Sequence, residues 1–244
     1  MQNRSSQKAS KCLCLLLSFL TLGVAGCADG PFYAMKRVNP YFVYEWQKDS
    51  EIGPTFDDRL AEIELLESRL SSMSPEEQGK WASQLYRIIK SDPSPQLRFR
   101  AVKVIARIAS PVSVEALNQA SADEVEKVRL AACKAWAVQG GSSAKEMLMS
   151  LAVKEGETPS VRQAAVESLA NFDDPEVREL LANLLDDPSP AMQYRVASTL
   201  KTMTGKNYNG DMASWKAFLA GQDVPEPEQP SFTAGVIDSI PKLW

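Results

Sequence analysis

Between residues 92 and 203 one motif of about 32 residues returns four times. A chain written on such a period can bury its apolar faces only by stacking one unit on the next. The clearest pair of copies is Asp92-Pro93-Ser94-Pro95-Gln96-Leu97-Arg98 and Asp187-Pro188-Ser189-Pro190-Ala191-Met192-Gln193. Val128-Arg129 and Val161-Arg162 mark the two copies between them, so the anchor positions are 98, 129, 162 and 193, at steps of 31, 33 and 31.

The apolar positions repeat with the anchors. Three residues after the anchor stand Ala101, Ala132, Ala165 and Val196, and seven after it Ile105, Trp136, Leu169 and Leu200. Further on, Leu117, Leu148 and Leu181 are followed by Ala120, Leu151 and Leu184. Spacings of three and four place these residues on one helical face. Ser110-Pro111, Gly140-Gly141 and Asp174-Pro175 fall between the two groups as helix stop and start signals. Asp92-Pro93 and Asp187-Pro188 are expected to cap the first helices of their units. Each unit is thus a helix, a turn and a helix. A divergent first unit precedes them: Leu60, Ile63, Leu66 and Leu70 behind Asp57 and Asp58, then the capping box Ser74-Pro75-Glu76-Glu77 ahead of Trp81, Leu85, Ile88 and Ile89. The polar turn 204–211, with Trp215 and Leu219 after it, reads as the closing cap.

The runs Val161-Arg162-Gln163-Ala164-Ala165-Val166-Glu167-Ser168-Leu169 and Asp174-Pro175-Glu176-Val177 resemble the HEAT repeat family, in the short bacterial form related to the HEAT-like repeats of phycobilin lyases. The resemblance covers roughly residues 57–220 and implies an all-α fold, a right-handed α-solenoid of about five helix pairs. Gln193 departs from it where arginine is expected. The motif is specific for fold and very unspecific for activity.

The chain opens with a polar, basic stretch 1–11, an apolar run of about 13 residues at 12–24 and two small residues, the pattern of an export signal. That run is shorter than the roughly 20 residues a membrane-spanning helix needs. Val24-Ala25-Gly26-Cys27 resembles the lipobox of bacterial lipoproteins. The resemblance implies cleavage before Cys27 and acylation of that cysteine; Ala28 after it implies the outer membrane, where there is one. An ordinary signal peptide with a chance cysteine is the alternative. Cleavage would remove Arg4, Lys8 and Lys11 and no acid, taking the net charge from -4 to -7. So acidic a chain is unsuited to nucleic acid, whose phosphates are held by lysine and arginine.

The organisation expected is therefore a leader over 1–26, a lipidated aromatic-rich segment over 27–56, the solenoid over 57–220 and a tail over 221–244. Phe32, Tyr33, Tyr41, Phe42, Tyr44 and Trp46 suit a cover over the first helix pair, or alternatively a partner or membrane contact. In the tail, 224–230 is an acidic, proline-rich spacer expected to be extended. Val236, Ile237, Ile240, Leu243 and Trp244 follow as a frayed end or a short docking segment.

The 244 residues contain no histidine, which removes the commonest general base and metal ligand. No phosphate loop, metal-ligand spacing or catalytic triad is present, and no cofactor is expected. Cys133 falls on the core face, as a small apolar residue. Arg98, Arg129 and Arg162 are expected to bridge turns of adjacent units. Glu115, Glu146 and Glu179 stand at one position of three successive second helices. They are either helix-dipole partners in a first turn or an acidic stripe on the inner face that reads a basic peptide or cationic ligand. The expected function is a non-enzymatic interaction scaffold for a protein or peptide of the cell envelope, tethered to the membrane through lipid on Cys27. A lyase-like enzyme or cofactor chaperone, and a self-associating structural envelope protein, are the alternatives.

Overall fold

The computed structural model describes Pro40 and residues 53–227. The chain divides into two units, Met1–Arg59 and Leu60–Trp244. The aromatic cover expected over 27–56 and the apolar tail beyond 227 lie outside the described residues, apart from Pro40 and 53–56. In the described part of the first unit Thr55 and Asp58 exchange caps. The Thr55 amide donates to Asp58 Oδ2 at 2.9 Å and the Asp58 amide to Thr55 Oγ1 at 3.3 Å, which starts the helix that runs on from Phe56.

Among the described residues all regular structure is helical. In chain order the helices are α1 (Phe56–Arg69), α2 (Pro75–Ser91), α3 (Pro95–Ile105), α4 (Pro111–Ser121), α5 (Glu126–Gln139), α6 (Gly141–Val153), α7 (Pro159–Ser168), α8 (Pro175–Leu184), α9 (Pro190–Thr204) and α10 (Met212–Leu219). Six of them open on proline, whose fixed φ suits the first helical position and whose missing N–H would have no partner there. Ser74 forms the full capping box with Glu77; Ser94, Ser110 and Thr158 each accept an amide three residues on.

The Asp-Pro pairs work differently from the expectation. Asp92 and Asp187 lie two residues before the capping position. Their carboxylates accept the amides of Ser94 and Ser189 at 2.9 Å each, closing the turn ahead of the helix rather than the helix itself.

One apolar core runs from Ile63 to Trp215. The repeated positions Ala101, Ala132, Ala165 and Val196, with Ile105, Trp136, Leu169 and Leu200, are all fully buried. Leu117, Leu148 and Leu181 meet them from the second helices. Cys133 is buried among them, and burial, with the nearby Glu157 charge, pushes its thiol up to about 12; it is a core residue. The first helices stack directly, α3 on α5, α5 on α7 and α7 on α9. The second helices spread instead: α2 packs closely on α4, yet α4 and α6 scarcely meet.

The last pair closes as the turn after α9 suggests. Gly205 ends α9 in the left-handed conformation, at φ 72°. Tyr208 and Trp215 are buried and stand edge to face, 4.9 Å between ring centroids, with Phe218 beside both. The start of the proline-rich spacer has no regular structure and is tied to the cap. Tyr208 Oη donates to the Val224 carbonyl at 3.0 Å, and Glu226 accepts both Lys206 Nζ and the Asn207 amide at 3.0 Å.

Candidate interaction surfaces

The anchor arginines form a ladder of clamps between units. Arg98 Nη1 donates to the Asp92 carbonyl of its own turn at 2.8 Å, while Nε and Nη2 hold Asp123 of the next turn at 2.8 and 2.9 Å. Arg129 repeats the arrangement, with the Asp123 carbonyl at 2.7 Å and Glu157 at 2.8 Å. Arg162 takes the Ala152 carbonyl at 2.9 Å and Asp187 at 2.8 Å. Arg98 and Asp123 are 8% and 7% exposed, so each ion needs the other to remain charged inside the protein. Asp123 holds the Arg98 guanidinium above its usual value. Burial pushes Glu157 upward, but the Thr158 amide, Arg129 and Lys154 outweigh it and hold its carboxyl below the ordinary 4.5. These arginines are structural, as expected, and are spent within the array.

Gln193 explains its own departure from the pattern. Its Nε2 donates to the Asp187 carbonyl at 2.9 Å, which is the backward half of the clamp. It stands on the last first helix among the described residues and makes no forward contact to a later turn there. An amide meets the remaining requirement without leaving a buried cation unpaired.

The glutamates expected to form a ladder are exposed on α4, α6 and α8. None lies in a first turn: α4 and α6 have no acid there, and in α8 that place belongs to Glu176. A dipole role therefore does not account for them. Glu115 accepts Tyr86 Oη from α2 at 2.7 Å, which raises the Tyr86 pKa. Glu146 and Glu179 make no hydrogen bond or ion pair among the described residues. The three carboxylates thus stand on successive second helices with no cation paired to them among the described residues. The joint between α6 and α8 belongs to a neighbour, Lys145, whose Nζ lies 3.0 Å from Glu176 and 3.6 Å from Asp174.

The first-helix row carries a second set of surface groups, half-buried except for Tyr194, which the sequence reading did not single out. One residue after each anchor stand Phe99, Leu130, Gln163 and Tyr194, of which Tyr194 is 70% exposed. Val138, 63% exposed, continues the α5 stripe. Lys103 and Lys127 flank the Phe99 ring, 6.0 and 5.0 Å from its centroid. The signal was available as a periodicity: these are the positions beside the anchor that do not repeat in residue type.

No group of acids and cysteines able to hold a metal ion occurs among the described residues. Likewise no described helix is long and apolar enough to cross a membrane. Stacked helix pairs joined by turn-to-turn clamps, with varied side chains along the outer surface of each row, define an α-solenoid of the kind that works by contact. The chain matches the family described as HEAT repeats over residues 82–157 and 148–211, more than half of its length. It belongs to that family. No curated protein matches the chain.

Proposed function

We propose that this HEAT repeat protein is a membrane-tethered interaction scaffold of the cell envelope, anchored by lipid on Cys27 and offering its solenoid to a partner protein or peptide. The observation that carries the reading is the continuous stack from α2 to α10, whose buried charges are consumed between units while exposed side chains vary along the rows. A solenoid with a constant frame and a variable surface recognises extended partners by area and a few anchors. The tether rests on the basic, apolar and small-residue order of 1–26 ahead of Cys27. Two or three acyl chains there would hold the protein on a bilayer where one would release it.

Two measurements test this. Metabolic labelling with a palmitate analogue should mark the wild type and not Cys27→Ser; label retained by the variant refutes the anchor. Crosslinking in the native cell followed by mass spectrometry should return a reproducible partner. Its crosslinks would choose between the second-helix carboxylates Glu115, Glu146 and Glu179 and the first-helix row. Crosslinks found only between copies of this chain would replace the scaffold with a self-associating structural protein.

A further inference from the structure

We propose that the first-helix face across α3 and α5 docks an acidic peptide segment of a partner protein, one that also carries an aromatic or aliphatic side chain. This rests on the scaffold reading and gives its ligand a chemistry. Lys103 on α3 and Lys127 on α5 approach one ring, that of half-buried Phe99. Leu130 and Lys134 follow Lys127 at three and seven residues, on the same stripe of α5. All three lysines are exposed, and none makes an ion pair among the described residues.

That is unlike the arginines of the same row. Arg98, Arg100, Arg107, Arg129, Arg162 and Arg195 are each matched to a carboxylate. The acids nearest to Lys127 in sequence are turned elsewhere: Glu124 lies 3.3 Å from Arg98, and Glu126 accepts Thr158 Oγ1 at 3.1 Å. A chain of net charge -4 thus keeps a positive island around an apolar floor. Ammonium groups left in water attract a carboxylate-bearing partner and set its register. Phe99 and Leu130 supply the area on which one apolar side chain can be anchored.

The probe is a fluorescein-labelled dodecapeptide of glutamates with phenylalanine and leucine at its centre, titrated by anisotropy with the full-length protein in detergent. Binding should be saturable and weaken with salt. The variant Lys103→Glu/Lys127→Glu/Lys134→Glu should lose at least about tenfold in affinity, while Arg69→Glu/Lys90→Glu/Lys201→Glu, an equal charge change elsewhere, keeps it. Circular dichroism and thermal melts of both variants separate lost binding from lost fold. Undiminished binding by the first variant, or equal binding of the lysine counterpart of the peptide, overturns the proposal. Tighter binding to anionic lipid vesicles than to the peptide would assign the face to a membrane instead. A tenfold gain on deleting residues 228–244 would assign it to the chain's own tail. A cellular partner crosslinked to another row, with no peptide binding, removes this surface and leaves the scaffold standing. Peptide binding without any cellular partner does the reverse.

Discussion

Arg98 and Gln193 occupy the same place in their units and should differ in what they contribute. Arg98→Ala leaves Asp123 buried without its counter-ion, at an expected cost of about 3 kcal/mol, read as a lower urea midpoint. Gln193→Ala forfeits one hydrogen bond to a carbonyl, about 1 kcal/mol. Equal losses would show that the forward half of the clamp contributes nothing. Glu157, 3% exposed against Arg129, makes the clamps sensitive to acid. Its folded carboxyl titrates below 4.5, so the stability it supplies is complete above that pH and is lost as pH falls through the folded value. A melt series should therefore show the wild type losing stability below pH 4.5 more steeply than Glu157→Gln; parallel curves would exclude this carboxyl as the cause. In the sequence the anchors were legible as a spacing, and their bridging role followed from their place at the turns. Which acid each would hold was not, because the partners lie 25 to 28 residues away and one is a glutamate where the others are aspartates.

At the level of elements, the helix boundaries were the best-written feature, since proline, serine and glycine act locally and the chain uses them at nearly every junction. The tightest junction is Gly140, which ends α5 and starts α6 at φ 68° and ψ -169°. A Cβ there would meet nothing within 4 Å, so any penalty comes from the backbone alone. Gly140→Ala should lower stability by about 1–3 kcal/mol without altering the spectrum of the folded state; an unchanged midpoint would mean that the turn relaxes freely. The closing cap was only half legible. Trp215 follows helical spacing and was visible, but Tyr208 sits in a polar turn, and its partner Val224 lies in a stretch whose prolines and acids read as a linker. The strap depends on contacts spanning 16 to 20 residues, beyond the reach of any local pattern. The glutamates show the same limit: equal spacing placed Glu115, Glu146 and Glu179 on successive second helices, but Tyr86 as the partner of Glu115, 29 residues away, was not written in that spacing.

For the molecule as a whole, the period alone determined the architecture, because no helix pair of this kind can hide its apolar stripe without a neighbour. The working surface was less visible. A repeat announces itself through what stays constant, whereas recognition resides in what changes from unit to unit, and a single sequence gives no measure of which changes matter. The three lysines, without an ion pair among the described residues, became notable only once every neighbouring arginine was seen to be engaged. The uneven contact between second helices has a mechanical side as well. The first helices are tied turn to turn by Arg98, Arg129 and Arg162, whereas α4 and α6 share little contact, so a load on the array should be taken up at that step first. Amide exchange should then be faster where α4 faces α6 than along α5 and α7, and equal protection would show that the step is no weaker than the clamped row.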